Sequence, residues 1–159
     1  MSRHICYPCE RTAELERLPP RERVVVYRGW RVVHAFSTSL RGWLVAVPMR
    51  HVERFADLTD TELAAFGPLA RACSIALQDA VGCEKTYVGV FGEHYTHLHA
   101  HVIPRMPALQ EELWGPRIFA LLDVPEKEWL PEDERDCLAQ ALRDSIRRQL
   151  DHGDKDDGM

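Results

Sequence analysis

His97-Leu98-His99-Ala100-His101-Val102-Ile103-Pro104-Arg105 decides how the rest of the chain is read. Histidine occupies every second position from 97 to 101, and apolar residues stand between. Side chains two apart on a β-strand share a face. The spacing therefore predicts a strand with His97, His99 and His101 in a row on one side. Leu98, Ala100 and Val102 would turn the other way, into a core. A row of imidazoles suits metal binding or phosphate chemistry. The plainer alternative is a half-exposed strand that happens to carry histidines, although histidine is only an average core filler.

Working outward, 159 residues are enough for one domain with a real core, and one domain spanning 1–159 is expected. The hydrophobic share is 45% and the charged share 28%, both ordinary for a globular chain. A net charge of −5 and the lack of a basic run argue against a nucleic-acid partner. No apolar run approaches the roughly 20 residues that span a bilayer, so no membrane partner is expected. No apolar leader precedes the first of the five cysteines, and a reducing cytoplasm is the expected compartment. Asparagine is absent.

Residues 1–20 open with Cys6-Tyr7-Pro8-Cys9 and read as a knuckle-like turn followed by a connecting segment. The β-branched run 23–28 and the run 30–36, parted by Gly29, read as a hairpin. Residues 43–47 are nearly all apolar, as in a central strand, and 37–42 form a polar loop. Thr59 and Glu62 predict a capping box that opens a long helix, with Gly82 as its C-cap. Its buried stripe is read as Leu63, Phe66, Leu69, Ala70, Cys73, Leu77, Ala80 and Val81, with Pro68 as a kink. Residues 84–91 predict a strand and 118–122 a short helix. Residues 132–150 predict a terminal helix with Cys137, Leu138, Ala141, Ile146 and Leu150 inward. Cys73, Cys83 and Cys137 are read as small core residues. Strands with helices set among them suggest an antiparallel α+β layer structure.

Residues 97–103 match the signature of the histidine triad (HIT) superfamily, which alternates histidine with apolar residues. The resemblance runs upstream through Ala35-Phe36, through 42–52 (Gly-Trp-Leu-Val-Ala-Val-Pro-Met-Arg-His-Val) and through Leu58-Thr59-Asp60. It covers about residues 5–105; residues 106–159 look like an extension. The resemblance implies a HIT-like fold: an antiparallel sheet of about five strands, one long helix and a C-terminal helical extension, in a homodimer. It implies nucleotide hydrolysis, with His99 forming a covalent nucleotidyl-histidine and His101 steadying the phosphate or leaving group. Neutral imidazole, with an ordinary pKa near 6.5, is suited to such an attack.

A Cys-x-x-Cys pair alone is ambiguous among zinc, redox chemistry and chance. The resemblance completes a structural zinc set in the N-terminal segment 1–20: Cys6, Cys9, His51 and His97. A rival reading makes the three histidines a catalytic metal cage, although a third ligand at i+4 is a stretch on a flat strand. The chain also departs from the family's substrate pattern. Thr38 stands where an aspartate often holds ribose. Glu93 and His94 stand where glutamine and a hydroxyl residue often meet phosphate. Arg105 and Arg117 are candidate phosphate partners, and Trp114 a candidate base cover; His4 and His34 read as incidental. These departures motivate a second reading, a nucleotide-binding regulatory module with little turnover.

Overall fold

The computed structural model describes residues 6–93 and 95–156, the last four by backbone alone. The chain begins with a short helix, α1 (Tyr7–Ala13). Then come β1 (Val25–Tyr27), β2 (Trp30–His34) and β3 (Leu44–Pro48). A long helix, α2 (Asp60–Val81), leads to β4 (Lys85–Val90) and β5 (Ala100–Arg105), and α3 (Glu132–Asp156) ends the described chain. All strand pairings are antiparallel, in the order β1-β2-β3-β5-β4. The histidine strand thus lies inside the sheet, with Val45 opposite His101 on one side and Gly89 opposite it on the other.

The pleat sorts β5 into two chemistries. Leu98, Ala100 and Val102 are buried with Trp30, Val32, Leu44 and Ala46 beneath α2 and α3. Ile103 turns to the opposite face and packs with Trp43, Ala35, Leu40 and Ile118. His101 shares that second face, where its ring meets Trp43 and Phe119. Residues 106–124 cover it, including a 3-10 helix, Gly115–Leu121. An isolated bridge joins Thr38 to Leu122, and the amides of Val124 and Leu130 donate to Ser37 and Thr38 carbonyls.

α2 begins where the sequence requires. Thr59 accepts from the Glu62 amide, the Glu62 carboxylate accepts from the Thr59 amide, and Gly82 ends the helix at φ +68°. A left-handed backbone there favours glycine. The buried face is rotated from the expected stripe. Ala65, Ala72 and Ala76 are buried, together with Leu69, Cys73 and Leu77, whereas Leu63 is exposed. Small side chains on this face let α3 approach closely with Leu138, Ala139, Leu142, Ile146 and Leu150. Leucine 63 is the larger apolar group, but helix–helix contact selects the alanine row. The same rotation leaves Cys137 and Ala141 of α3 outward and brings Ala139 and Leu142 in. Pro68 sits on the exposed side of an uninterrupted α2.

Three further expectations change. The Cys-x-x-Cys segment is helical, with Cys6 at the N-cap of α1 and Cys9 within its first turn. The expected turn is replaced because Pro8 lies near the helix start, where its missing N–H costs nothing. β5 begins at Ala100, so His97 and His99 precede the strand. The Leu98 amide pairs instead with the Val52 carbonyl at 2.6 Å, which ties this lead-in to the loop after β3. His34 is not incidental: its Nδ1–H donates to the Ala35 carbonyl and its Nε2 accepts from the Gly42 amide, closing the β2–β3 loop. Burial holds that ring neutral and pushes its pKa down to about 4. His4 lies outside the described residues.

Candidate metal centre and phosphate site

Four ligand atoms converge from three parts of the chain. Cys6 and Cys9 come from the start of α1, His51 from the loop after β3, and His97 from the lead-in to β5. One ligand atom from each lies within 4.8 Å of all the others. Cys6 Sγ is 3.2 Å from His97 Nδ1; Cys9 Sγ is 3.4 Å from His51 Nδ1 and 3.5 Å from His97 Nδ1. Zinc bonds of about 2.3 Å to sulfur and 2.0–2.1 Å to nitrogen give a tetrahedron with sulfur–nitrogen edges of about 3.5 Å. The contacts fit that figure.

The tautomers fit as well. His97 Nε2–H donates to the Pro48 carbonyl at 3.0 Å, and His51 Nε2–H donates to Glu53 at 3.4 Å. Each ring therefore turns a bare Nδ1 toward the cysteines, with its far nitrogen backed by an acceptor, as metal-bound histidines are. Burial, and Cys6 beside it, push the Cys9 thiol up to about 11. Thiols held this close resist ionising together, and a divalent cation relieves that repulsion. These four residues can hold a metal ion.

His97 also serves its neighbour. Its carbonyl accepts from His99 Nδ1–H at 2.9 Å. That bond places the only proton of a neutral His99 on Nδ1 and leaves a lone pair on Nε2. His99 is partly exposed, and its ring centroid lies 5.0 Å from that of His101. His101 is buried, and its Nδ1 accepts from the Trp43 indole at 3.0 Å. Burial first, then the neighbouring His99, push the His101 pKa down to about 4, against a smaller opposing pull from Asp123. The pair is thus a part-exposed imidazole whose Nδ1–H is committed to the His97 carbonyl, beside a buried neutral one.

The row of histidines is consequently divided. His97 turns its ring to the cysteines, while His99 and His101 face each other. The expected substrate contacts are scattered. Thr38 is fully buried; its hydroxyl donates to the Leu121 carbonyl and accepts from the Leu40 amide. It has no donor left for a ribose. Arg105 pairs with Glu84 and stacks over the Trp114 ring at 4.7 Å, so it is not free to hold phosphate. It also lies four residues from His101, about 13 Å along the strand. Trp114 accordingly covers this arginine. Arg117 is exposed and donates to the Glu111 and Trp114 carbonyls. Glu93 is exposed in the loop before the triad, and His94 lies outside the described residues.

Three residues near the histidines escaped the sequence reading. Trp43 and Phe119 flank His101. Asp123 accepts from the Ser37 hydroxyl at 2.6 Å, from a backbone at φ +56°. Strand alternation could have put Trp43 on the face of Val45, but nothing in the sequence brings residues 119–123 back over β5.

No family model and no curated protein sequence matches the chain. Solved structures do. A hypothetical histidine triad nucleotide-binding protein from Sulfolobus tokodaii is similar at a TM-score of 0.66 and 17% identity, over 90% of this chain and 93% of its own. This is the histidine triad fold. A zinc-bound histidine triad family protein from Mycobacterium smegmatis shares that fold at a TM-score of 0.65 and 16% identity, over 93% and 96% of the two chains. Plasmodium falciparum diadenosine triphosphate hydrolase matches at 0.61 and 12%, over 84% of this chain and 81% of its own. The α+β architecture expected from the triad, five antiparallel strands with a long helix and a helical C-terminal part, is the one observed. No helix among the described residues is long and apolar enough to cross a membrane.

Proposed function

We propose that this chain is a histidine triad nucleotide hydrolase that cleaves a phosphoanhydride or phosphoramidate bond. One observation carries the reading: His99 is partly exposed and donates through Nδ1 to the His97 carbonyl, which leaves its Nε2 lone pair open beside a neutral His101. Nε2 attacks the α-phosphorus and forms an N–P bond as the P–O or P–N bond to the leaving group breaks, and the departing oxygen or nitrogen takes up a proton from solvent. His101 donates a hydrogen bond to the phosphate oxygens, whose charge grows during the step. Water then cleaves the N–P bond and releases the nucleoside monophosphate. Glu93, exposed in the loop before the triad, and His94, its neighbour in sequence, are the proposed substrate-binding pair.

In this reading Cys6, Cys9, His51 and His97 hold one structural zinc. The ion ties α1 to the sheet and so supports the backbone of His97, on which His99 leans. The Mycobacterium smegmatis protein is zinc-bound, and the tetrahedral fit of the ligand atoms here supports the same ion. The protein is proposed to act in the cytoplasm as a homodimer.

Buried Thr38 and committed Arg105 favour one alternative, a regulatory module that binds nucleotide with little turnover. Mass spectrometry separates the two. The protein is incubated with adenosine 5′-phosphoramidate or a diadenosine polyphosphate, quenched and weighed. A nucleotidyl adduct that is absent in His99→Ala supports the hydrolase. Binding without adduct or product refutes it in favour of the module. Loss of both metal and activity in His99→Ala would instead point to a metal cage built on the triad.

A further inference from the structure

Trp43 directly precedes β3, and Val45, opposite His101, lies two residues on. Side chains two apart share a face, so Trp43 is a diagonal neighbour of His101 on the sheet face that carries it. Its indole N–H ends 3.0 Å from His101 Nδ1, and both side chains are buried. An indole nitrogen only donates. Nδ1 opposite it must therefore be bare, and the one proton of the neutral ring sits on Nε2. Turning the ring over would set a C–H against a buried indole donor and leave that donor unpaired, which is unfavourable. Packing holds the plane of the ring. Trp43 meets the imidazole at 83° with centroids 5.8 Å apart, and Phe119 meets it at 85° and 4.9 Å. The ionisable groups acting on the ring are His99 from the lead-in to β5 and Asp123 from the covering segment.

We propose that Trp43 is a positioning residue that locks His101 in the Nε2–H tautomer, making it a fixed hydrogen-bond donor to the phosphate instead of an exchangeable acid. The inference rests on the reading of His99 as nucleophile and His101 as its phosphate-side partner. Its consequence is specific: the same ring with its proton on Nδ1 would point a lone pair at the phosphate and repel it.

The test uses the full-length, zinc-loaded protein labelled with nitrogen-15 histidine. Two-bond proton–nitrogen correlation spectra report which ring nitrogen of His101 carries the proton. Wild type is expected to show Nε2–H. Trp43→Phe keeps the aromatic packing and removes the donor, so an Nδ1–H population is expected. Phe119→Leu keeps the donor and loosens the packing, so Nε2–H should persist. With adenosine 5′-phosphoramidate, Trp43→Phe should lower kcat about tenfold or more, the direction seen when a catalytic histidine is left in the wrong tautomer, with KM little changed. A wild-type His101 protonated on Nδ1 overturns the proposal, and that spectrum decides even where a variant fails to fold. A Trp43→Phe spectrum identical to wild type overturns it too. Failure of the hydrolase reading looks different: wild type would show the Nε2–H pattern yet form no adduct.

Discussion

Glu62→Gln tests how the long helix holds the metal-binding loop. The Glu62 carboxylate accepts from the Thr59 amide and from Arg50 at 2.8 Å through both of its oxygens. Arg50, next to His51, also donates to the Asp57 carbonyl. The Arg50 guanidinium is the main reason that the Glu62 pKa falls from 4.5 to about 2. Such a drop is equivalent to about 3 kcal/mol. Arg50 is 46% exposed, and solvent screening brings the expected loss to about 2 kcal/mol. Glutamine can keep the contact to the Thr59 amide through its oxygen, while its NH2 then faces Arg50 Nε, so the change removes the charge and one hydrogen bond from Arg50. At pH 7 a midpoint drop of about 4–8 °C is expected. The carboxylate is depressed in the folded state, so its contribution is complete above pH 4.5 and fades as pH falls toward 2. Denaturant titrations of both proteins at pH 7 and pH 3 give the difference, and effects common to both, such as loss of metal in acid, cancel. Equal stability at pH 7, or a gap that is as large at pH 3, refutes the reasoning.

Other outcomes follow from the same geometry. Elemental analysis should find one zinc per chain, lost in Cys6→Ser and Cys9→Ser and kept in His99→Ala; protein prepared without chelator that contains no zinc refutes the site. Leu142→Ala, at a fully buried position between the helices, should cost about 2–5 kcal/mol in denaturant. Native protein should react with a thiol reagent at exposed Cys137 well before buried Cys73 and Cys83, as read by peptide mapping; equal rates would show that the inter-helix face is misassigned.

Much of the molecule can be read from short-range pattern. The Thr59–Glu62 box and Gly82 bound α2 because caps are local chemistry. The alternation from 97 to 105 separates Leu98, Ala100 and Val102 from His101 and Ile103 because the pleat has a period of two. What escapes depends on partners far along the chain. Leu63 looked inward and Ala65 did not, until α3 chose the alanine row. Thr38 and Arg105 looked free for a substrate, but Leu121, Glu84 and Trp114 occupy them. Trp43 carried no local sign of its role, because that role depends on the register between β3 and β5. Cys6, Cys9, His51 and His97 were brought together by a family resemblance, since spacing alone names only the first pair.

His97 takes part in two equilibria through different atoms: its ring faces the cysteines, while its carbonyl holds the proton of His99. A shift of its backbone on binding a cation would be felt at His99 through that carbonyl. Thermodynamic linkage makes such an effect reciprocal: if the ion changes the affinity for a nucleotide by some factor, the nucleotide changes the affinity for the ion by the same factor. Metal titrations with and without a nucleoside monophosphate would measure that factor from one direction, and nucleotide titrations with and without metal from the other.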